Sequence, residues 1–464
     1  MQIRLGSLGL VVVALLVFVG FALPTEVRAD EDAGIKAGAA ERDVTPPVGF
    51  DITHYVRKSV GVHDPLFVRA LVLQDGSGNS LAIICADLIG AGFEVCDELR
   101  SRIRSELGIQ ETLINASHSH SSIELGGRTK DPNTPLAEYH NRQHQAIMDA
   151  VSEAKSKAVP VKLSSGRSDV QVGFNRRLVN KDGHVFMGVN KTGPVVPWVN
   201  VLIAKGEKSG KPVAVLFEHA AHPVIVPHTS KLTSADYPGA AVKRIREELG
   251  DDVIALFGQG CGGNINGFPL RTTHENADSA GRKLGDAVLK AIEESEPITV
   301  EELDVRSARS WLPSNDPPKL DVLQEWIDGS QDNADRVAHL EKLRGLIDRR
   351  ENPPPRRFDA YALMLGKEWC LVTMPHEMFC QYELWVDDAA PFKRTMTFGY
   401  TNGGQGYIAV DEAWKLGPQG GYEAGSLPNW SGSGSMSAYF GPPRVGSEGI
   451  IKNTVSSLWT GRAK

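Results

Sequence analysis

Cysteine is scarce. Five residues, Cys85, Cys96, Cys261, Cys370 and Cys380, are spread over 464 positions, and none forms a Cys-x-x-Cys pair. That excludes a disulfide-stapled scaffold. Cys85 ends the apolar run Leu81–Cys85 and is read as a small packed hydrophobe. Clustered basic charge is also missing. The 50 Lys and Arg and 57 Asp and Glu give a net charge of −7, so nothing resembles a nucleic-acid surface. After the first residues no run is long and apolar enough to span a bilayer. The glycine-rich stretch at 258–267 lacks the Gly-Lys-Ser/Thr of a phosphate loop. No internal repeat is visible. What remains is ordinary globular composition, 41% hydrophobic and 23% charged, in a chain long enough for a large core and two or three structural units.

The N-terminus reads as a targeting segment. Arg4 precedes an apolar stretch from Leu8 to Leu23, and Val27-Arg28-Ala29 follows. This is a charged start, an apolar core and a small-residue cleavage site. The expectation is a signal peptide at 1–29, cleaved after Ala29, and a secreted or periplasmic protein from 30 to 464. An uncleaved anchor is the rival reading, though the run is short for a bilayer span.

Along the mature chain, Arg42–Gly49 reads as a loop because of Pro46-Pro47. Leu66–Leu73 and Ser80–Cys85 read as a hairpin around Asp75-Gly76, and Phe93–Leu107 as a helix stopped by Gly108. Leu136–Lys157 is an amphipathic helix whose His140 and His144, one turn apart among polar neighbours, are assigned to a solvated face. Strands are expected at Val161–Ser165, Val199–Ala204, Lys211–Phe217 and Val253–Phe257, and helices at Asp236–Leu249 and Asn276–Glu294. An inserted helical hairpin is expected within 312–355, bounded by proline-rich stretches. Strands return at Phe358–Leu365, Trp369–Met374 and Met396–Tyr400. The Gly/Ser-rich stretch 417–441 reads as an ordered loop or lid. The fold class is therefore α/β, mixed sheets flanked by helices.

The chemistry-bearing stretch is Ser117-His118-Ser119-His120-Ser121, reached through the apolar run Thr112-Leu113-Ile114. Alternation along a strand would turn both imidazoles to one face, which suits a zinc site in a cleft; hydrogen-bonded structural histidines are the plain alternative. A second histidine-bearing strand end is Glu218-His219-Ala220-Ala221-His222-Pro223. Met374-Pro375-His376-Glu377 brings a carboxylate to a strand-to-helix corner. So many glycines after the strand Val253–Phe257 imply close backbone approach to something. Glu377 as a helix cap and Tyr407 as a core aromatic are the alternatives for those two.

The order Asp43-Val44-Thr45-Pro46, Gly61-Val62-His63-Asp64-Pro65-Leu66, Ser117–Ser121, Asn175-Arg176-Arg177, Ala221-His222-Pro223, Gln259–Asn264, Pro375-His376-Glu377 and Gly406-Tyr407 resembles the neutral/alkaline, non-lysosomal ceramidase family, over about residues 36–430. The resemblance implies Zn2+ held by His118, His222, Glu377 and Tyr407, with His120 and Arg176 lining the active site. It implies a lipid or other small-molecule amide as substrate, room for peripheral membrane contact, and no nucleic acid; oligomeric state is not read from it. Two departures stand out. Asn264 and Asn266 occupy the acidic and serine positions of the family's Gly-Asp-x-Ser turn, and no counterpart of the family's C-terminal immunoglobulin-like domain is expected. Asn cannot serve as a nucleophile, so the expectation is attack by zinc-bound water, with Asn266 donating a hydrogen bond and Cys261 as the one rival nucleophile. Two alternatives stay open: a zinc hydrolase of an ester or other bond, and a catalytically silent binding protein.

N-terminal sequencing of the mature, exported protein should begin at Asp30; a chain beginning at Met1 would mean an anchor or a misread segment.

Overall fold

The computed structural model describes residues 34–52, 57–127, 131–300, 302–331, 334–404, 406–425 and 441–461. The segment 1–29 and much of the Gly/Ser-rich stretch lie outside these. Among the described residues no helix is long and apolar enough to cross a membrane.

Two β-sheets stack face to face, with helices on both outer faces. The larger sheet runs in the order Ile254–Gln259, Pro212–His219, Trp198–Gly206, Val159–Asp169, Lys36–Asp43, Phe67–Gln74, Ser80–Ala86, Glu111–Ala116, with Glu296–Ile298 also pairing Val159–Asp169. The smaller runs Asp304–Leu312, Arg356–Leu365, Trp369–Thr373, Arg394–Phe398. Between them lies a dry layer in which Leu71, Ile83, Leu113, Leu216 and Leu256 meet Leu363, Trp369, Leu371, Met396 and Phe398. Strands covered on both faces read as continuous apolar runs rather than alternating ones, and Ser80–Ala86 is buried throughout. Helices Phe93–Leu107 and Pro135–Ser156 bury Leu99, Ile103, Ile147 and Val151 against one outer face. Asp236–Leu249 and His274–Glu293 bury Tyr237, Ile245, Leu284 and Val288.

This is the mixed α/β architecture expected, with two corrections. The strand Lys36–Asp43 gives no strand signal in the sequence, yet it joins both halves of the large sheet through Phe67–Gln74 and Val159–Asp169. Its residues, Lys-Ala-Gly-Ala-Ala-Glu-Arg-Asp, are poor β-formers, and tertiary pairing overrides that. Gly38 has no room for a side chain, since a Cβ there would lie 2.1 Å from the Ala154 carbonyl oxygen. Second, His144 is buried, not solvated, and its Nε2–H donates to the Gly126 carbonyl at 2.8 Å. Helices Leu320–Asp328 and Ala334–Asp348 sit between two strands that pair from Asp304↔Met364 to Leu312↔Arg356. Leu323, Ile327, Leu340 and Leu343 give them a small core of their own.

Three parallel pairings position the site: Ser80–Ala86 with Glu111–Ala116, Pro212–His219 with Ile254–Gln259, and Trp369–Thr373 with Arg394–Phe398. Their carboxyl ends gather at one edge, the usual place for a site in such sheets. The two sheets are tied there by buried Asn115, which is fully inaccessible. Its Nδ2 donates to the Gly399 carbonyl at 2.8 Å and the Thr401 hydroxyl at 3.1 Å, and its Oδ1 accepts from the Gln259 N–H at 2.8 Å. Asn402 answers from the other sheet: its Oδ1 accepts from the Ile114 N–H at 2.8 Å.

Asn115→Ala removes its bonds across the two sheets and leaves the buried Gln259 N–H without its partner, a group whose loss of pairing costs about 1–3 kcal/mol. The variant's thermal unfolding midpoint should fall clearly below the wild type's; an unchanged midpoint would contradict this role.

Candidate metal centre

Each strand end contributes one side chain. His118 lies just past Glu111–Ala116, His222 just past Pro212–His219, and Glu377 just past Trp369–Thr373. Glu377-Met378 then pairs in parallel with Tyr407-Ile408, so that Glu377 and Tyr407 are direct partners in register. Glu377 does not cap the following helix, whose N-cap is Phe379.

His118 Nε2 is 3.3 Å and His222 Nε2 3.0 Å from the same Glu377 oxygen, Oε2. His120 Nε2 is 3.3 Å from His118 Nε2. The His118 ring also stands edge-on to that of His222, at 4.8 Å between centroids, and the Tyr407 ring stacks by His222 at 6.2 Å. His118 and His120 do converge, but not through strand alternation. The strand ends at Ala116, and His118 adopts a left-handed backbone at φ 67°, a strained conformation that the surrounding hydrogen bonds must hold.

The remaining ring nitrogens fix which atom faces inward. His118 Nδ1–H donates to the Ile89 carbonyl, and His222 Nδ1–H to the Gly262 carbonyl at 2.7 Å. Both Nε2 atoms are thereby turned to the centre, where each can carry a proton toward Glu377 or give a lone pair to a metal, the arrangement that metal-binding histidines use. Burial pushes His222 down to about 4, with Arg176 adding to the effect, which keeps it neutral. Burial alone would raise the Glu377 carboxyl, but His118 and His222 beside it hold it well below the usual carboxylate range. Burial and then Glu377 push the Tyr407 phenol well above its ordinary value, so a cation would have to draw off its proton before it could ligate.

The donor set fits a zinc ion. Four-coordinate zinc with bonds of about 2.0–2.2 Å to nitrogen and oxygen separates its ligand atoms by about 3.3–3.6 Å, within a few tenths of an ångström of the 3.3 and 3.0 Å spacings above. His118, His120 and His222 also form a group of three whose ligand atoms all lie within 4.8 Å of one another, so His120 stands where either a ligand or a neighbour of the ligands would stand.

The glycine-rich turn meets the site through close approach. A Cβ on Gly263 would lie 2.4 Å from the Glu377 carbonyl oxygen, and one on Gly260 2.3 Å from Glu218 Oε1. Backbone bonds from His222 N–H to Ile265 and from Gly267 N–H to His222 stitch Asn266 beside the second histidine.

No family model matches the chain. Over 98 residues it is 33% identical to the neutral ceramidase of Drosophila pseudoobscura pseudoobscura, a match covering 19% of this chain and 14% of that protein. Neutral ceramidase from Pseudomonas aeruginosa superposes with a TM-score of 0.66 over 92% of this chain and 74% of that one, at 14% identity. The chain has a neutral ceramidase-like fold. A ceramidase complexed with C2 gives a TM-score of 0.65, covering 92% and 76% of the two chains at 15% identity.

Within this ceramidase-like frame, the structure brings His118, His120, His222, Glu377 and Tyr407 together, with Arg176 and Asn266 alongside. Arg176 Cζ lies 5.1 Å from the Tyr407 ring centroid, and its Nη1 donates to Asn266 Oδ1 at 2.9 Å. Sequence reasoning missed two neighbours. Tyr400 packs its ring 4.7 Å from that of His118, and Glu423 accepts from Arg176 Nε at 2.7 Å. Neither sits in a motif, and only their contacts across the fold reveal them. Cys261 is fully buried in the core beside Met378 and Tyr382, and burial, then Glu383, raises its thiol well above the ordinary range.

All five cysteines are free and buried. A native thiol titration should therefore find almost none and an unfolded one all five; rapid labelling of Cys261 in the native protein would contradict this packing.

Proposed function

We propose that the chain is an exported hydrolase of amide bonds, ceramidase-like in chemistry as in fold, acting with a zinc ion held by His118, His222, Glu377 and Tyr407. Residues 30–464 form its catalytic domain, with a helical insertion in 312–355. The observation that carries this reading is the convergence of His118 Nε2 and His222 Nε2 on one oxygen of Glu377, at 3.3 and 3.0 Å. Glu377's pairing with Tyr407 adds a fourth ligand-type side chain. When bound, zinc makes hydroxide available near neutral pH and polarises a carbonyl.

The chain's own groups then divide the work. His120, bordering the ligands at 3.3 Å, holds the attacking water or protonates the leaving amine. Asn266 donates to the oxygen on which negative charge develops. Its amide side chain forms no acyl intermediate, and Cys261 is packed away from the site. The substrate is an amide of lipid type or a smaller N-acyl compound, in keeping with the ceramidase names of the similar proteins.

A second reading has one observation behind it. With Asn266 where a nucleophilic serine would stand, the fold serves equally as a binding protein that keeps its metal. A zinc hydrolase of esters shares every residue above. Zinc analysis paired with an amide and ester panel separates the three.

Purified protein should hold about one zinc per chain, and a His118→Ala/His222→Ala double variant should hold none; full occupancy in that variant would refute the ligand set. With a hydrolysed amide in hand, chelation should abolish turnover and Asn266→Ala should cost about 10²-fold, the scale of a lost oxyanion donor. Cys261→Ala should keep most activity, whereas an acyl adduct on Cys261 would overturn the scheme.

A further inference from the structure

We propose that Glu423 is a positioning residue which, through Arg176, locks the Asn266 side chain with its amide N–H2 turned toward the substrate. The inference rests on the hydrolase reading above and adds the orientation and polarity of one wall of that site.

Arg176 lies on the strand Gly173–Val179, which pairs antiparallel with Ile265–Gly267, the strand of Asn266. Its guanidinium is buried, with Nε donating to Glu423 Oε1 at 2.7 Å and Nη1 to Asn266 Oδ1 at 2.9 Å. Arg177 Nη1 grips the other Glu423 oxygen at 2.7 Å. A guanidinium carries donors only. The atom of Asn266 that faces it must be the carbonyl oxygen, because a flipped amide would set N–H against N–H. The contact therefore fixes an orientation that an isolated asparagine would leave open. Nδ2 is turned away from Arg176, and among the described residues none accepts from it. Asn266 also lines a small cavity with Phe174, Met187, Phe268 and Leu270.

Glu423 makes the lock possible. A buried guanidinium without a counter-charge is costly, and Glu423, itself 3% exposed, supplies one. The carboxylate arrives on the short helix Gly421–Ala424, which also lays Tyr422 by the guanidinium at 5.8 Å, next to Tyr407, whose ring centroid is 5.5 Å from its own. Gly421 has φ 76°, and a Cβ there would lie 2.8 Å from the Val185 carbonyl oxygen, so the helix is seated closely on the hairpin beside it. A wall that presents N–H2 takes an acceptor. It fits the carbonyl oxygen of an amide or ester and rejects a substrate hydroxyl offered as donor.

The test is a double-mutant cycle on the zinc-supplemented mature chain, read as kcat/KM on a short N-acyl p-nitroanilide and the matching p-nitrophenyl ester. If Glu423 acts through Asn266, Glu423→Gln costs 10-fold or more, and the Glu423→Gln/Asn266→Ala pair is no worse than Asn266→Ala alone. Additive losses would mean a merely structural Glu423 and would overturn the proposal. Asn266→Asp guards against a misfolded Glu423 variant, because it pairs with Arg176 but offers a carboxylate oxygen in place of N–H2. It should fold and lose at least as much activity as Asn266→Ala; wild-type activity in it would overturn the proposal. A third arm needs no turnover. In 1H–15N spectra of protein labelled at asparagine side chains, the resonance pair absent from Asn266→Ala should shift and broaden in Glu423→Gln, and an unmoved pair would overturn the lock. Wild-type silence on both probes would instead count against the hydrolase reading, and the spectra would still decide the lock.

Discussion

The site depends on a buried amide that joins two sheets. His118 belongs to the large sheet, whereas Glu377, Tyr400 and Tyr407 follow strands of the small one. Asn115 bridges them, bonded to Gly399, Thr401 and Gln259, and Asn402 returns the link to Ile114. A buried polar network of this kind is costly unless every member is satisfied. Here it fixes the register between sheets at the edge where their parallel strands end. The apolar layer beneath supplies adhesion but no register, since hydrophobic contact is not directional.

Local strain follows from that junction. His118 at φ 67°, His376 at φ 67°, Tyr400 at φ 48° and Asn402 at φ 56° all hold left-handed backbone without being glycine. Each lies where a strand must turn sharply to aim a side chain at the centre or to tie the sheets. Such conformations persist only when neighbours over-determine them. Backbone bonds do so here: Tyr400 N–H donates to the His376 carbonyl at 2.9 Å, and Asn402 N–H to the Ile114 carbonyl at 2.8 Å. Stability is thus spent on orientation at the site.

Much of the fold was legible because its signals were local. Phe93–Leu107 carries a clear helical period and ends at Gly108, left-handed at φ 67°. The Phe67–Gln74 and Ser80–Ala86 hairpin announced itself through Asp75-Gly76. Lys36–Asp43 did not, because Ala and Gly there serve close packing rather than strand propensity. His144 looked solvated because its neighbours in sequence are polar; its partner, the Gly126 carbonyl, belongs to another segment. The ligand-type residues could be nominated from short motifs, but their convergence rests on contacts between positions hundreds of residues apart. Glu423 and Tyr400 carry no motif, so only the folded chain discloses them.

The central claim is that one zinc ion sits between His118, His222, Glu377 and Tyr407. Anomalous diffraction at the zinc edge tests it most directly. One strong peak is expected about 2.0–2.2 Å from the inward nitrogens of His118 and His222 and from an oxygen of Glu377, with the Tyr407 oxygen completing the set. A peak held by His118, His120 and His222 with Glu377 and Tyr407 turned away, or no peak in zinc-soaked crystals, would contradict it.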